Sequence, residues 1–253
     1  MAHVIAIVNQ KGGVGKTTTT LSLGSYLADA GKFVLVIDMD PQANATSGVG
    51  VDHRQVSSGV YEVLSGLVTV RQAILPTVHE SLHILPAAGA LAGANVELVT
   101  AERREYRLAD ALLEVRNDFD VILIDCPPSL GLLTLNALVA ADSVLVPVQA
   151  EYYALEGLGQ LLETVELVRR ELRPSLQILG AIITMYEGRL RLSNDVLQEL
   201  YRHFPDRVFR SVIPRNVRLA EAPSHGQTIA RYDPSSKGAR AYEKLARELL
   251  AVL

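Results

Sequence analysis

One short stretch near the N-terminus restricts this chain more than anything else in it. Directly after the apolar run Val4-Ile5-Ala6-Ile7-Val8 stand Asn9-Gln10-Lys11-Gly12-Gly13-Val14-Gly15-Lys16-Thr17-Thr18, and a helical pattern from Leu21 to Ala30 follows, closed by Gly31. Strand, glycine loop and helix in that order form a phosphate cradle. The glycines let successive backbone N–H groups turn toward one anion, and the helix N-terminus adds its positive dipole end. Lys16 then suits the β- and γ-phosphates of a nucleotide, and the Thr17 hydroxyl suits Mg²⁺, a hard cation that prefers oxygen ligands. The remaining loop positions, Gly12, Gly13, Val14, Gly15 and Thr18, are expected to line the phosphates through their backbone.

The rest of the chain repeats this alternation. Phe33–Ile37, Val121–Ile124, Val144–Val146 and Ile178–Ile183 are short, β-branched and almost continuously apolar, the pattern of strands buried on both faces by helices. Helical spacing appears over Ala101–Val115, over Leu158–Leu172 before Pro174, and over Gly238–Leu253, where Tyr242, Leu245, Ala246, Leu249, Leu250 and Leu253 form one stripe. Pro86–Asn95 and Gln42–Ser58 read as irregular. Together these predict one α/β domain over residues 1–253, a doubly wound, mostly parallel sheet flanked by helices on both faces.

Three aspartates fall where such a sheet places its ligands, at the C-terminal ends of strands. Asp38 and Asp40 leave the second strand in Asp38-Met39-Asp40-Pro41-Gln42, and Asp125 leaves the third in Asp125-Cys126-Pro127-Pro128-Ser129. The predicted nucleotide site therefore comprises residues 9–18, 38–42 and 125–129.

Composition narrows the remaining choices. Hydrophobic residues make up 49% and charged residues 21%, enough apolar material for a large core. No stretch approaches the length of a membrane span and the N-terminus carries no signal-peptide pattern, so a soluble, cytoplasmic protein is expected. Cys126 is the only cysteine, which excludes an internal disulfide and a cysteine-pair metal site. The net charge of −4 is unevenly distributed: residues 1–179 hold 12 Lys+Arg against 20 Asp+Glu, and residues 180–253 hold 12 against 8. The C-terminal third is locally basic and mostly arginine, which suits bidentate phosphate contacts.

The glycine loop departs from the common G-x-x-x-x-G-K-[ST] pattern, with Gln10 at the first glycine position and an additional lysine after it. Lys-Gly-Gly-Val-Gly-Lys-Thr-Thr resembles the deviant Walker A box of the ParA/MinD family of P-loop NTPases. In that family the lysine matching Lys11 reaches across a dimer interface to the partner's nucleotide. The resemblance extends through Glu151–Gly157, Thr184–Arg189 and Ile213–Gly226, which look like the chromosomal ParA, or Soj, branch. It implies that Asp38 and Asp125 hold Mg²⁺ through water and that Asp40 orients or activates the attacking water. It further implies that Pro214 and Asn216, completing the site at 214–216, border the adenine, and that Arg189 and Arg218 bind DNA without sequence preference. The expected activity is slow ATP hydrolysis with ATP and Mg²⁺ as cofactors, in a homodimer that sandwiches two nucleotides. Its expected partners are duplex DNA and a ParB-like centromere-binding protein that stimulates hydrolysis, and its expected location is the nucleoid. The first strand begins at residue 4, so no N-terminal helix-turn-helix domain is expected.

Three rivals share the phosphate loop. A MinD-like membrane-positioning ATPase needs a lysine-rich amphipathic C-terminal helix with bulky apolar residues; the last helix here balances cations with glutamates and lacks Phe and Trp, so no membrane partner is expected. Iron–sulfur relatives need cysteine pairs. A metabolic ligase would leave Lys11 without a purpose.

Overall fold

The computed structural model describes residues 1–151, 156–205 and 207–253. Its strands are β1 (His3–Ile7), β2 (Val34–Asp38), β3 (Leu75–Pro76), β4 (Leu82–Leu85), β5 (Val121–Asp125), β6 (Ser143–Gln149) and β7 (Gln177–Thr184). They form one sheet in the order β3-β4-β2-β5-β1-β6-β7. Every pairing is parallel except the short β3–β4 ribbon. Each residue of β1 from Val4 to Ile7, and of β2 and β5 throughout, is buried, which is why these segments read as unbroken apolar runs rather than alternating ones.

One helix layer includes Lys16–Asp29 and Lys237–Leu250, which pack on each other beside Ile5, Ile7, Val36 and Leu123. The opposite layer includes Leu132–Ala140 and Glu156–Glu171, over Val4, Ala6, Ile122 and Val144. Alternate residues of each central strand thus feed alternate layers, as the pleat requires. Within the C-terminal helix Tyr242, Leu245, Ala246 and Leu249 are buried, and the Tyr242 hydroxyl hydrogen-bonds with Thr19 Oγ1 at 3.0 Å.

Four expectations are revised. β4 was not anticipated because His83 interrupts its apolar run and it is only four residues long. The stretch Pro86–Asn95 is not loop throughout: a helix begins at Leu91 and runs to Glu97, with Leu91 and Ala94 buried. The helix expected over Ala101–Val115 is confined to Arg107–Leu112, preceded by turns that include a left-handed Arg103 (φ 50°). The last helix ends at Leu250, leaving Leu253 43% exposed and outside the apolar stripe.

At one point the backbone makes a close crossing. Gly50 and Gly226 are both left-handed (φ 86° and 63°), and a β-carbon on Gly226 would lie 2.9 Å from the Gly50 Cα. Only glycine supports both the conformation and the approach. The crossing joins the segment after Asp40 to the segment after Asn216.

Candidate functional site

The order β2-β5-β1-β6 brings the glycine loop, Asp38, Asp125 and Glu151 together at the C-terminal ends of the strands. The loop is held from several sides. Asn9 donates from Nδ2 to the Pro147 carbonyl at 2.7 Å and accepts from the Lys11 amide at 2.9 Å. The Thr184 hydroxyl, at the end of β7, donates to the Val14 carbonyl at 2.7 Å. Between these anchors Gly13 and Gly15 adopt φ values of 75° and 91°, and Gly15 leads into the helix that begins at Lys16.

Lys16 is only 7% exposed, and its ammonium donates to the Lys11 carbonyl at 3.2 Å. Burial lowers its pKa, opposed chiefly by the neighbouring Asp125 carboxylate, as expected of an ammonium taken out of water. Lys11 is placed differently. Its ammonium donates to Glu151 Oε2 at 2.8 Å, and its side chain remains 36% exposed. One lysine faces the cleft and the other is held at its rim.

Asp38 and Asp125 are register partners on adjacent strands, and both are fully buried. Asp125 accepts from Thr17 Oγ1 at 2.7 Å and from Thr20 Oγ1 at 3.1 Å. Asp38 accepts from the Thr46 amide and hydroxyl at 2.8 and 2.7 Å and from the Asp40 amide at 3.2 Å. Burial first, and then each other's charge for Asp125, push both carboxyls above the usual aspartate range, against the pull of these hydroxyl donors. Two buried carboxyls and a threonine hydroxyl constitute an all-oxygen set short of positive charge, which fits Mg²⁺. No group of three or more His, Cys, Asp or Glu side chains able to hold a metal occurs among the described residues. Asp40 is 8% exposed and caps the following turn by accepting from the Gln42 amide at 2.9 Å.

A cleft of about 610 Å³ opens over the loop, lined by Gly13, Lys16, Thr17, Asp40, Gln42 and Pro128 among others. It shares Gly15, Thr18, Met185, Leu219 and Ala220 with a second cavity of about 310 Å³ that contains Pro214 and Asn216. The two cavities are thus continuous. Asn216 spends its amide oxygen on capping a helix, accepting from the Arg218 amide at 2.9 Å, which leaves its NH₂ to donate to a ligand.

The two predicted DNA-binding arginines lie on neighbouring segments, which a bridge between Tyr186 and Pro214 joins. Arg189 is exposed. Arg218 is partly neutralised, at 2.8 Å from Glu221 and 3.5 Å from Asp233. Sequence reasoning missed a more concentrated patch. Arg210, Lys237, Arg240 and Lys244 line one cavity of about 570 Å³, with no carboxylate in its lining. The i, i+3, i+7 spacing of Lys237, Arg240 and Lys244 was the available signal. Of the resembling segment Glu151–Gly157, residues 152–155 lie outside the described residues.

A family model described as an AAA domain matches residues 2–178. The chain is 54% identical to the sporulation initiation inhibitor protein Soj of Bacillus subtilis, over 99% of both chains. It is 48% identical to the chromosome partitioning protein ParA of Myxococcus xanthus, over 99% of this chain and 88% of the relative. The chain belongs to the ParA/Soj family of P-loop ATPases. The ParA/Soj fold also superposes, with a TM-score of 0.89, on a solved structure from Mycobacterium smegmatis named cobyrinic acid a,c-diamide synthase. That protein, bound to an ATP analogue and magnesium, is 42% identical over 99% of this chain and 94% of its own. The deviant ParA/Soj loop, its two lysines and its three strand-end aspartates all fall within the matched region.

Proposed function

We propose that this protein is a chromosome-partitioning ATPase of the ParA/Soj type. In this reading two chains close around two MgATP molecules, the dimer binds duplex DNA nonspecifically, and a ParB-like centromere-binding partner releases it by stimulating slow hydrolysis. The observation that carries the reading is the division between the lysines. Lys16 lines the cleft over the loop of its own chain, whereas Lys11 is absent from that lining and is held on Glu151 with its side chain partly exposed, where a second chain would find it. Bound magnesium would neutralise charge developing on the phosphates. Thr17 would ligate it directly, with Asp38 and Asp125 acting through water, and Asp40 would orient the attacking water. Gly12 to Thr18 would hold the phosphates, and Pro214 and Asn216 the base.

The DNA surface in this reading combines Arg189 and Arg218 with the cationic cavity of the last helix. One such patch binds weakly, at roughly 10⁻⁴ to 10⁻⁶ M. Pairing two in a dimer raises apparent affinity by about 10² to 10⁴, so ATP controls residence on the nucleoid. No helix among the described residues is long and apolar enough to cross a membrane. The apolar stripe of the last helix is buried, which removes the face a MinD-like anchor would insert.

The test is a gel shift on nonspecific duplex with ATP, ADP or no nucleotide. Binding only with ATP, lost in an Arg189→Ala, Arg218→Ala variant, is the expected result; no binding in any state while dimers still form would reject it. A second reading, ATP-driven amide formation, has the M. smegmatis name in its favour. It predicts phosphate release that requires a carboxylic acid and an amide donor, and phosphate release without either would reject it.

A further inference from the structure

Thr46 is named by neither the motifs nor the family resemblance, yet it is completely buried beside the site. Its hydroxyl is used twice, donating to Asp38 Oδ2 at 2.7 Å and accepting from the Ala87 amide at 2.9 Å. Its own amide donates to the same Asp38 oxygen at 2.8 Å. The other Asp38 oxygen receives the Asp40 amide at 3.2 Å. The Thr46 hydroxyl is thus the one side-chain donor among three groups that hold the Asp38 carboxylate, which in turn is bonded to the backbone that carries Asp40. The same hydroxyl ties both to the backbone just after β4, where the Pro86 carbonyl receives the Val60 amide at 2.9 Å.

The Ala87 contact uses the hydroxyl as an acceptor and leaves its hydrogen free to be directed elsewhere. The second bond, to a carboxylate at the nucleotide site, is charge-assisted and directional, and a valine of the same shape lacks it. We propose that Thr46 is a positioning residue for hydrolysis: it holds Asp38 where its carboxylate accepts a magnesium-bound water, and through Asp38 it fixes the backbone of Asp40. This rests on the roles given to Asp38 and Asp40 above.

The experiment compares Thr46→Val, Thr46→Ser and Asp38→Asn with wild type in melting temperature, nucleotide affinity, kcat and the Mg²⁺ concentration for half-maximal turnover. Removing a hydrogen bond to a charged group corresponds to about 10- to 100-fold in rate. Thr46→Val is expected to lose that much kcat and to need several-fold more Mg²⁺, with ATP affinity measured without metal unchanged. Thr46→Ser, which retains the hydroxyl, should restore both. A Thr46→Val protein with lowered melting temperature but normal kcat and Mg²⁺ requirement overturns the proposal, as does a serine variant as impaired as valine. If valine prevents folding, Thr46→Ala is measured by the same criteria, because it retains the amide donor and removes only the hydroxyl and methyl. An Asp38→Asn variant with normal turnover and Mg²⁺ dependence would instead reject the underlying role of Asp38.

Discussion

At the scale of single residues, the two lysines of the loop are chemically alike and differ in where their charge is held. Lys16 is buried and bonded only to a carbonyl, so its removal leaves the phosphate cleft without its cation. Lys16→Ala is expected to abolish detectable nucleotide binding in a fluorescent-ATP titration. Lys11→Ala should bind ATP within about twofold of wild type and lose turnover by about 10³-fold, the size of effect a trans-acting cation supplies. Asp40→Ala should retain ATP and remain on DNA in a gel-shift chase; normal turnover in that variant would remove its assigned role. The lysines, glycines and strand-end aspartates were legible in the sequence because their chemistry is written in adjacent positions. The anchoring contacts of Asn9, Glu151 and Thr184 were not legible, since each acts on a partner more than a hundred residues away. Thr46 lies eight residues from Asp38, but nothing in a polar, irregular-looking stretch signals which hydroxyl turns inward.

Among the elements, the central strands were readable from continuous apolar runs, whereas β4 and the helix at Leu91 depend on packing that no local pattern encodes. The N-terminal ends of the strands show how such elements are fastened. Asp142, just before β6, accepts from the Val4 amide at 2.9 Å, from Arg173 at 3.2 Å and from Arg116. Burial raises its pKa, but Arg116, with the Val4 amide, outweighs it and holds the carboxyl below the ordinary range. A depressed folded-state pKa contributes stability that is complete above about pH 4 and lost as pH falls through the folded value. Asp142→Asn should therefore lower the melting temperature at pH 7, by roughly 1–3 kcal/mol of stability, with the difference from wild type shrinking in acid. An equal difference at pH 3 and pH 7 would show that charge is not the cause. For the last helix, Leu249→Ala should cost about 2–5 kcal/mol and is measured by urea denaturation.

For the whole molecule, the acidic body and basic C-terminal third produce a polarity that the net charge of −4 conceals. If Lys237, Arg240 and Lys244 meet phosphates, replacing all three with alanine should reduce the slope of log affinity against log salt by about 2–3. ATPase activity without DNA should remain at the wild-type level, because these side chains lie outside the nucleotide cleft. An unchanged slope would return the DNA surface to Arg189 and Arg218 alone. At the crossing of Gly50 and Gly226 two strips of main chain touch with no side chain between them. A joint of that kind has no spare thickness. A single methyl there acts as a wedge between the segment after Asp40 and the one after Arg218, so Gly226→Ala is expected to part the two without altering a single charge.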